Sequence, residues 1–193
     1  RIGAAAREYG IASYLDGARL LNAAVARGDD PAALAEPFDL VTIAMSKGLG
    51  GPAGSVMAGR AQDVEALVRY RRMLGGALRQ AGILAAAGIH ALEHHVERLA
   101  DDHGNARIIG ERLAASHAVE IDLDRLETNI VVFHLREGAP DAAEVVRLAE
   151  AQGVRVLAFA ERTVRAVTHL DVDEDACRAA AEVLAEAAET AAT

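Results

Sequence analysis

Two short apolar runs, each leading to a charged residue, constrain this chain more than any other feature of its sequence. Phe38 to Met45 (FDLVTIAM) follows Pro37 and leads through Ser46 to Lys47, where the glycine-rich stretch KGLGGPAG begins. Ile11 to Leu15 follows Gly10 and leads directly to Asp16, 31 residues before Lys47. Apolar runs of this length between turn-forming residues read as buried strands. The segment between them is long enough for the crossover that a parallel pairing needs. In an open parallel sheet Asp16 and Lys47 then share the carboxyl edge, where ligands bind. A lysine in a glycine-rich turn, with a carboxylate and an arginine (Arg19) on the next strand end, suits pyridoxal phosphate. The lysine can form a Schiff base with the aldehyde, the carboxylate can keep the pyridine nitrogen protonated, and the arginine can meet an anion.

Plainer readings of the same residues stay open at this level. An aspartate after a strand often caps the next helix, and Arg19 reads equally as a surface arginine in a salt bridge. A loop lysine is ordinarily a solvated charge. What sets Lys47 apart is its place after an apolar strand among Gly48, Gly50, Gly51 and Gly54, which let backbone pass close to a flat ligand. No glycine-lysine-serine/threonine run closes the segment, so it is not a nucleotide-binding P-loop.

From Ile11 to about Leu92 the pattern is strand, helix, strand, turn, strand, helix, an α/β layer. Leu20–Ala26 reads as a helix stopped by Gly28, and Asp30 before Pro31 as the cap of another. SVMA, between Gly54 and Gly59, is a further strand. Gln62–Leu74 is helical and broken by Gly75 and Gly76; a long helical region follows from Gln80 to Ala115, with Gly104 marking a bend or break. From Ser116 the pattern becomes strand, strand, helix, strand, strand, helix. The strands are Val119–Leu123, Asn129–Leu135, Val154–Phe159 and Thr163–His169. Capping signatures at Asp141/Glu144 and Asp171/Glu174 precede the two helices, the last from Val172 to Glu189. The division expected is residues 1–92 as part of a large domain, 93–115 as a connecting helical region and 116–193 as a small α+β domain.

Composition narrows the function classes. A formal charge of −9 argues against a nucleic-acid partner, and no apolar run is long enough to span a membrane. Cys177, the single cysteine, excludes an internal disulfide and suits a reducing cytoplasm. His90 and His94 in HALEH formally fit an inverted zincin pattern, but so short a match arises easily on a helix, and no metal site is read here. Arg69 and Arg71 read as a solvated helix face.

Three segments then carry a family signal. DGARLLNAAVARG, FDLVTIAMSKGLGGPAGS and RRMLGGALRQAGILAAAGIHAL closely resemble the low-specificity L-threonine aldolases of the beta-eliminating lyase/threonine aldolase family, pyridoxal-phosphate enzymes of fold type I. The similarity runs from Asp16 to about Leu92 and resumes at TVRAVTHLDV. It implies the C-terminal part of a large mixed-sheet domain followed by the small domain. It implies cleavage of threonine or allo-threonine to glycine and an aldehyde, with Lys47 as the Schiff-base lysine and Asp16 on the pyridine nitrogen. Arg19 and Arg165 are implied at the substrate carboxylate, Arg19 also near the cofactor ring. Arg79 is implied at the cofactor phosphate of a neighbouring subunit, and Arg72 stands where relatives often carry lysine.

The resemblance also implies a dimer or tetramer with shared active sites, and an N-terminal segment that would supply the catalytic base and the phosphate-cradling turn. On that reading the chain is the C-terminal part of a longer enzyme and is inactive alone. The chain departs from the family at Ala77, where a third glycine is expected, and at Tyr14, where many relatives carry histidine. Two alternatives remain: a related lyase that expels a leaving group from Cβ, using the same Asp16 and Lys47, and a non-catalytic fragment or assembly partner.

Overall fold

The computed structural model describes residues 2–190 and begins with a helix, α1 (Ile2–Glu8), closed by Gly10 in the left-handed conformation at φ 64°. The N–H of Ile11 returns to the carbonyl of Ala6 at 2.8 Å. Ile11 is consumed in ending the helix, so the first strand is shorter than its apolar run predicts: β1 spans only Tyr14–Asp16. Helices α2 (Leu20–Arg27) and α3 (Pro31–Ala35) form the crossover to β2 (Leu40–Ala44). Asp30 caps α3 as its sequence predicts, accepting from the Ala32 N–H at 2.8 Å.

β1 and β2 pair in parallel, with Asp16 opposite Thr42, and β3 (Ser55–Gly59) adds antiparallel to β2, giving the order β1-β2-β3. A two-way exchange fixes the start of the parallel pair. Asp39 Oδ2 accepts from the Ser13 N–H at 2.8 Å and from its hydroxyl at 3.0 Å. The Ser13 carbonyl accepts from the N–H groups of Asp39 and Leu40. These Ser13 bonds, the backbone one foremost, hold the Asp39 carboxyl below its ordinary pKa, against a smaller opposing effect of desolvation.

After β3 come α4 (Ala61–Met73), α5 (Gly82–His94) and α6 (Leu99–Ala114). The continuous helical region expected from Gln80 to Ala115 is therefore two helices, interrupted at residues 95–98, and Gly104 continues undisturbed inside α6. The interruption has a packing cause. Leu99 is fully buried in a core with Leu21, Met45, Leu49 and Ala91, and Val96 packs against the same cluster.

The chain divides into two compact units between Leu99 and Ala100. In the second, β4 (Val119–Glu120), β5 (Ile130–Leu135), β6 (Leu157–Ala160) and β7 (Thr163–Val167) form an antiparallel sheet in the order β4-β5-β7-β6, with helices α7 (Ala142–Ala151) and α8 (Glu174–Glu189). Strand alternation sends Val131, Phe133, Val164 and Ala166 into a core completed by Leu113, Val145 and Leu184. The predicted strand from Val119 to Leu123 ends at Glu120, because Asp122 caps a 3₁₀ turn at Leu123–Arg125 instead. Asp141 caps α7 as predicted, through the Glu144 N–H. For α8 the capping residue is Asp173, which accepts from the Ala176 N–H at 2.8 Å, and not Asp171, whose N–H is engaged by His169 Nδ1. Among the described residues, no helix is long and apolar enough to cross a membrane.

This assignment has a direct test. Asp173→Ala is expected to destabilise the protein by about 1 kcal/mol in denaturant unfolding, whereas Asp171→Ala, lacking the cap bond, should stay within about 0.5 kcal/mol.

Candidate functional site

The carboxyl edge of the β1–β2 pair assembles the first group of candidate residues. Asp16 is the last residue of β1; its register partner, Thr42, lies five residues before Lys47 along the neighbouring strand and its exit. Adjacent strands lie about 4.8 Å apart, so the two charges leave the sheet at the same edge. Tyr14 and Asp16 alternate onto one face of β1, and the Tyr14 hydroxyl donates to Thr42 Oγ1 at 2.9 Å beside them.

The backbone after Asp16 turns sharply. Gly17 N–H bonds to the Leu15 carbonyl at 2.9 Å, and Leu20 N–H to the Gly17 carbonyl at 2.8 Å. A Cβ on Gly17 would lie 2.9 Å from the Thr42 carbonyl oxygen and 3.0 Å from Val41 Cγ2. Glycine is therefore required at residue 17 by the close passage over β2. This turn sets Arg19, half-buried, at the N-cap position of α2. Asp16 is not that cap: its carboxylate accepts from the Ala18 N–H at 3.3 Å, ahead of the helix. The helix-cap reading of Asp16 thus gives way to a carboxylate at the sheet edge.

Lys47 lies in a turn closed by a bond from the Gly50 N–H to the Lys47 carbonyl at 2.8 Å, with Gly51 N–H returning to the Met45 carbonyl at 2.8 Å. The Lys47 side chain is exposed, while Gly48 and Leu49 are buried beneath it. A Cβ on Gly48 would meet the amide of buried Asn22, on α2, at 2.7 Å. The turn is seated tightly on its base and presents one amine.

The remaining candidates are carried by other elements. Arg72 is in the last turn of α4 and Arg79 in the segment between α4 and α5; both are exposed. Arg79 precedes Gln80, which takes a left-handed φ of 54°. In the second unit Arg165 is half-buried on β7, on the sheet face away from the core, in a cross-strand row with Val132 and Leu157. The rings of His90 and His94 on α5 lie 4.4 Å apart between centroids, tilted by 55°.

Two features escaped the sequence reading. His95, which had no context in sequence, accepts a structural part: its Nδ1 is 2.7 Å from the Leu49 carbonyl, in the Lys47 turn. No periodicity or motif marks such a bond between residues 46 apart. The other was available from composition. Lys47 is the only lysine in a chain that carries 20 basic residues, so every other cation is an arginine.

The donor set fits pyridoxal phosphate: one primary amine that can lose its proton and attack an aldehyde, one carboxylate suited to a pyridinium, and one guanidinium suited to an anion.

Known proteins resemble this chain. The beta-eliminating lyase family model matches residues 1–137. A low-specificity L-threonine aldolase of Escherichia coli is 42% identical over 169 residues, covering 88% of this chain and 49% of that protein. A probable low-specificity L-threonine aldolase of Arabidopsis thaliana is 34% identical over 175 residues, 90% of this chain and 49% of the relative. The chain thus spans about half the length of these relatives. Among solved structures, an aromatic amino acid beta-eliminating lyase/threonine aldolase from Exiguobacterium superposes with a TM-score of 0.77 at 23% identity, covering 96% of this chain and 55% of that one. An L-allo-threonine aldolase from Listeria monocytogenes gives 0.76 at 20% identity, with 97% and 54% coverage. The fold is accordingly that of the fold type I pyridoxal-phosphate enzymes.

Gly17→Ala is expected to cost about 1–3 kcal/mol in denaturant unfolding, because backbone and a β-branched side chain must both shift. Gly104→Ala, in the interior of α6 with nothing within 4 Å of the added methyl, should stabilise by about 0.5–1 kcal/mol.

Proposed function

Because the chain belongs to the beta-eliminating lyase family, we propose that it carries the lysine, the pyridine-binding carboxylate and the carboxylate-binding arginines of a pyridoxal-phosphate aldolase. Its substrates on this reading are β-hydroxy-α-amino acids such as threonine and allo-threonine, cleaved to glycine and an aldehyde. The carrying observation is that the only lysine of the chain stands at the carboxyl edge of a parallel strand pair whose other strand ends in Asp16.

Pyridoxal phosphate, when bound, supplies an aldehyde for amine capture and a ring that takes up the electron pair released as the Cα–Cβ bond breaks. Lys47 is the amine that would hold it covalently and return it to the resting state after each turnover. Asp16 would keep a proton on the ring nitrogen by ion pairing, which makes the ring a stronger electron acceptor. Arg19 and Arg165 each offer the planar fork that pairs with a carboxylate through two parallel bonds, and are assigned to the substrate carboxylate. Arg72 and Arg79 are assigned to the anionic end of the cofactor. Self-association is part of the proposal. Tyr70, Met73, Leu74, Leu78 and Ile83, close together in sequence, are all more than half exposed, as residues of a subunit contact would be before assembly. A cytoplasmic setting suits the single buried cysteine.

β-Elimination is the second reading, favoured by the family model's own description and by the Exiguobacterium structure. Products separate the two: glycine with an aldehyde for the aldolase, a keto acid with ammonia and no glycine for the eliminase.

Two measurements address the residue roles. Borohydride reduction with pyridoxal phosphate, followed by peptide mapping, should place the label on Lys47, and Lys47→Arg should abolish it while preserving the charge. Label confined to the N-terminal amine would overturn the assignment. In the cofactor-loaded enzyme, Asp16→Asn should lower turnover about 10-fold or more, equivalent to about 1.4 kcal/mol of transition-state stabilisation; unchanged turnover at full loading would remove Asp16 from the role.

A further inference from the structure

One peptide group of the Lys47 turn, the one joining Leu49 to Gly50, is bonded both within the turn and outside it. Its N–H bonds to the Lys47 carbonyl at 2.8 Å, and its C=O is the group that faces His95 Nδ1 at 2.7 Å. A carbonyl oxygen only accepts, so Nδ1 carries the proton and donates. The bond survives in both the neutral imidazole protonated at Nδ1 and the imidazolium. Gly50, with φ at 68°, follows this plane. A glycine there imposes little resistance to rotation of the peptide, whereas the next peptide is tied by the Gly51 N–H to the Met45 carbonyl at 2.8 Å. The Leu49–Gly50 plane is therefore fixed by one bond within the turn and by one from outside it.

His95 is well placed to hold it. It caps the C-terminus of α5, where its own N–H bonds to the Ala91 carbonyl at 2.9 Å. Its ring is half-buried and meets His90 edge-on at 5.3 Å between centroids. Ala91 and Leu99, on either side of it in sequence, are buried with Leu49 in one core. The imidazole thus projects from a rigid helix end onto a carbonyl whose own side chain is anchored in the same core.

We propose that His95 is a positioning residue for Lys47: by fixing the Leu49–Gly50 peptide it sets the direction in which the lysine leaves the turn. The consequence for amine chemistry rests on the function proposed above, whereas the effect on the turn does not. Aspartate or leucine at residue 95 would remove the donor. Asparagine would keep it, because its side-chain amide nitrogen occupies nearly the place of Nδ1.

The experiment compares wild type, His95→Leu and His95→Asn as purified protein by two readouts. The first is amide hydrogen exchange of the peptide spanning residues 46–52, without any ligand. His95→Leu should exchange the Gly50 amide about ten-fold faster or more, and His95→Asn should return within about three-fold of wild type. Equal protection in all three, or a loss in His95→Asn as large as in His95→Leu, would overturn the assignment. The second is the rate at which pyridoxal phosphate with borohydride labels Lys47, expected to fall several-fold in His95→Leu and to recover in His95→Asn. Absence of label on Lys47 in wild type would overturn the cofactor reading, and the exchange result would still decide the role of His95.

Discussion

The parallel pairing of β1 with β2 is the constraint on which the rest of the first unit depends. Only three residues of β1 take part, and a pairing so short is weak unless its ends are fixed. At the entry, Ser13 and Asp39 exchange bonds through backbone, hydroxyl and carboxylate. At the exit, Gly17 crosses within contact of the Thr42 carbonyl. A slip of one residue would send Asp16 to the opposite face and break both ends together. The register that aligns Asp16 with Thr42 therefore also determines which residues share an edge with Lys47.

Around that pairing, the small apolar cluster of Leu21, Met45, Leu49, Ala91 and Leu99 draws on α2, the exit of β2, the lysine turn, α5 and the start of α6. The same few side chains stabilise the unit and seat the Lys47 turn, which explains why the helical region breaks at residues 95–98. A continuous helix would continue past the core and leave Leu99 and His95 without their partners. The second unit differs in kind. Its larger core lies between an antiparallel sheet and its helices, and the opposite sheet face carries Arg165 among Val132 and Leu157.

Much of this was legible in the sequence because local signals and tertiary demands agree. A strand within Phe38–Met45, the cap at Asp30, the cap at Asp141 and the parallel crossover all follow from apolar runs bounded by Gly, Pro and Asp. The failures share a cause: residues with two competing local uses. Ile11 reads as strand but closes α1; Asp171 reads as the cap of the last helix, but His169 engages its N–H and Asp173 caps instead. Gly104 reads as a break, yet nothing crowds it and the helix passes through. Near the sheet edge, Asp16, Arg19 and Lys47 could be placed from sequence because Asp16 ends one apolar run, Arg19 comes three residues later and Lys47 follows the other run. His95 was not, since a bond from a helix end to a distant carbonyl leaves no pattern in sequence.

The restriction to one lysine has a chemical consequence beyond the turn that bears it. Guanidinium groups stay protonated and do not condense readily with carbonyl compounds near neutral pH. Apart from Lys47, every side chain counted among the 20 lysines and arginines is of that kind. Positive charge is thus spread over the surface in a form inert toward aldehydes, while the reactive amine occupies a single side-chain position. An aldehyde that meets this chain therefore finds a single side-chain position at which a primary amine can form an adduct.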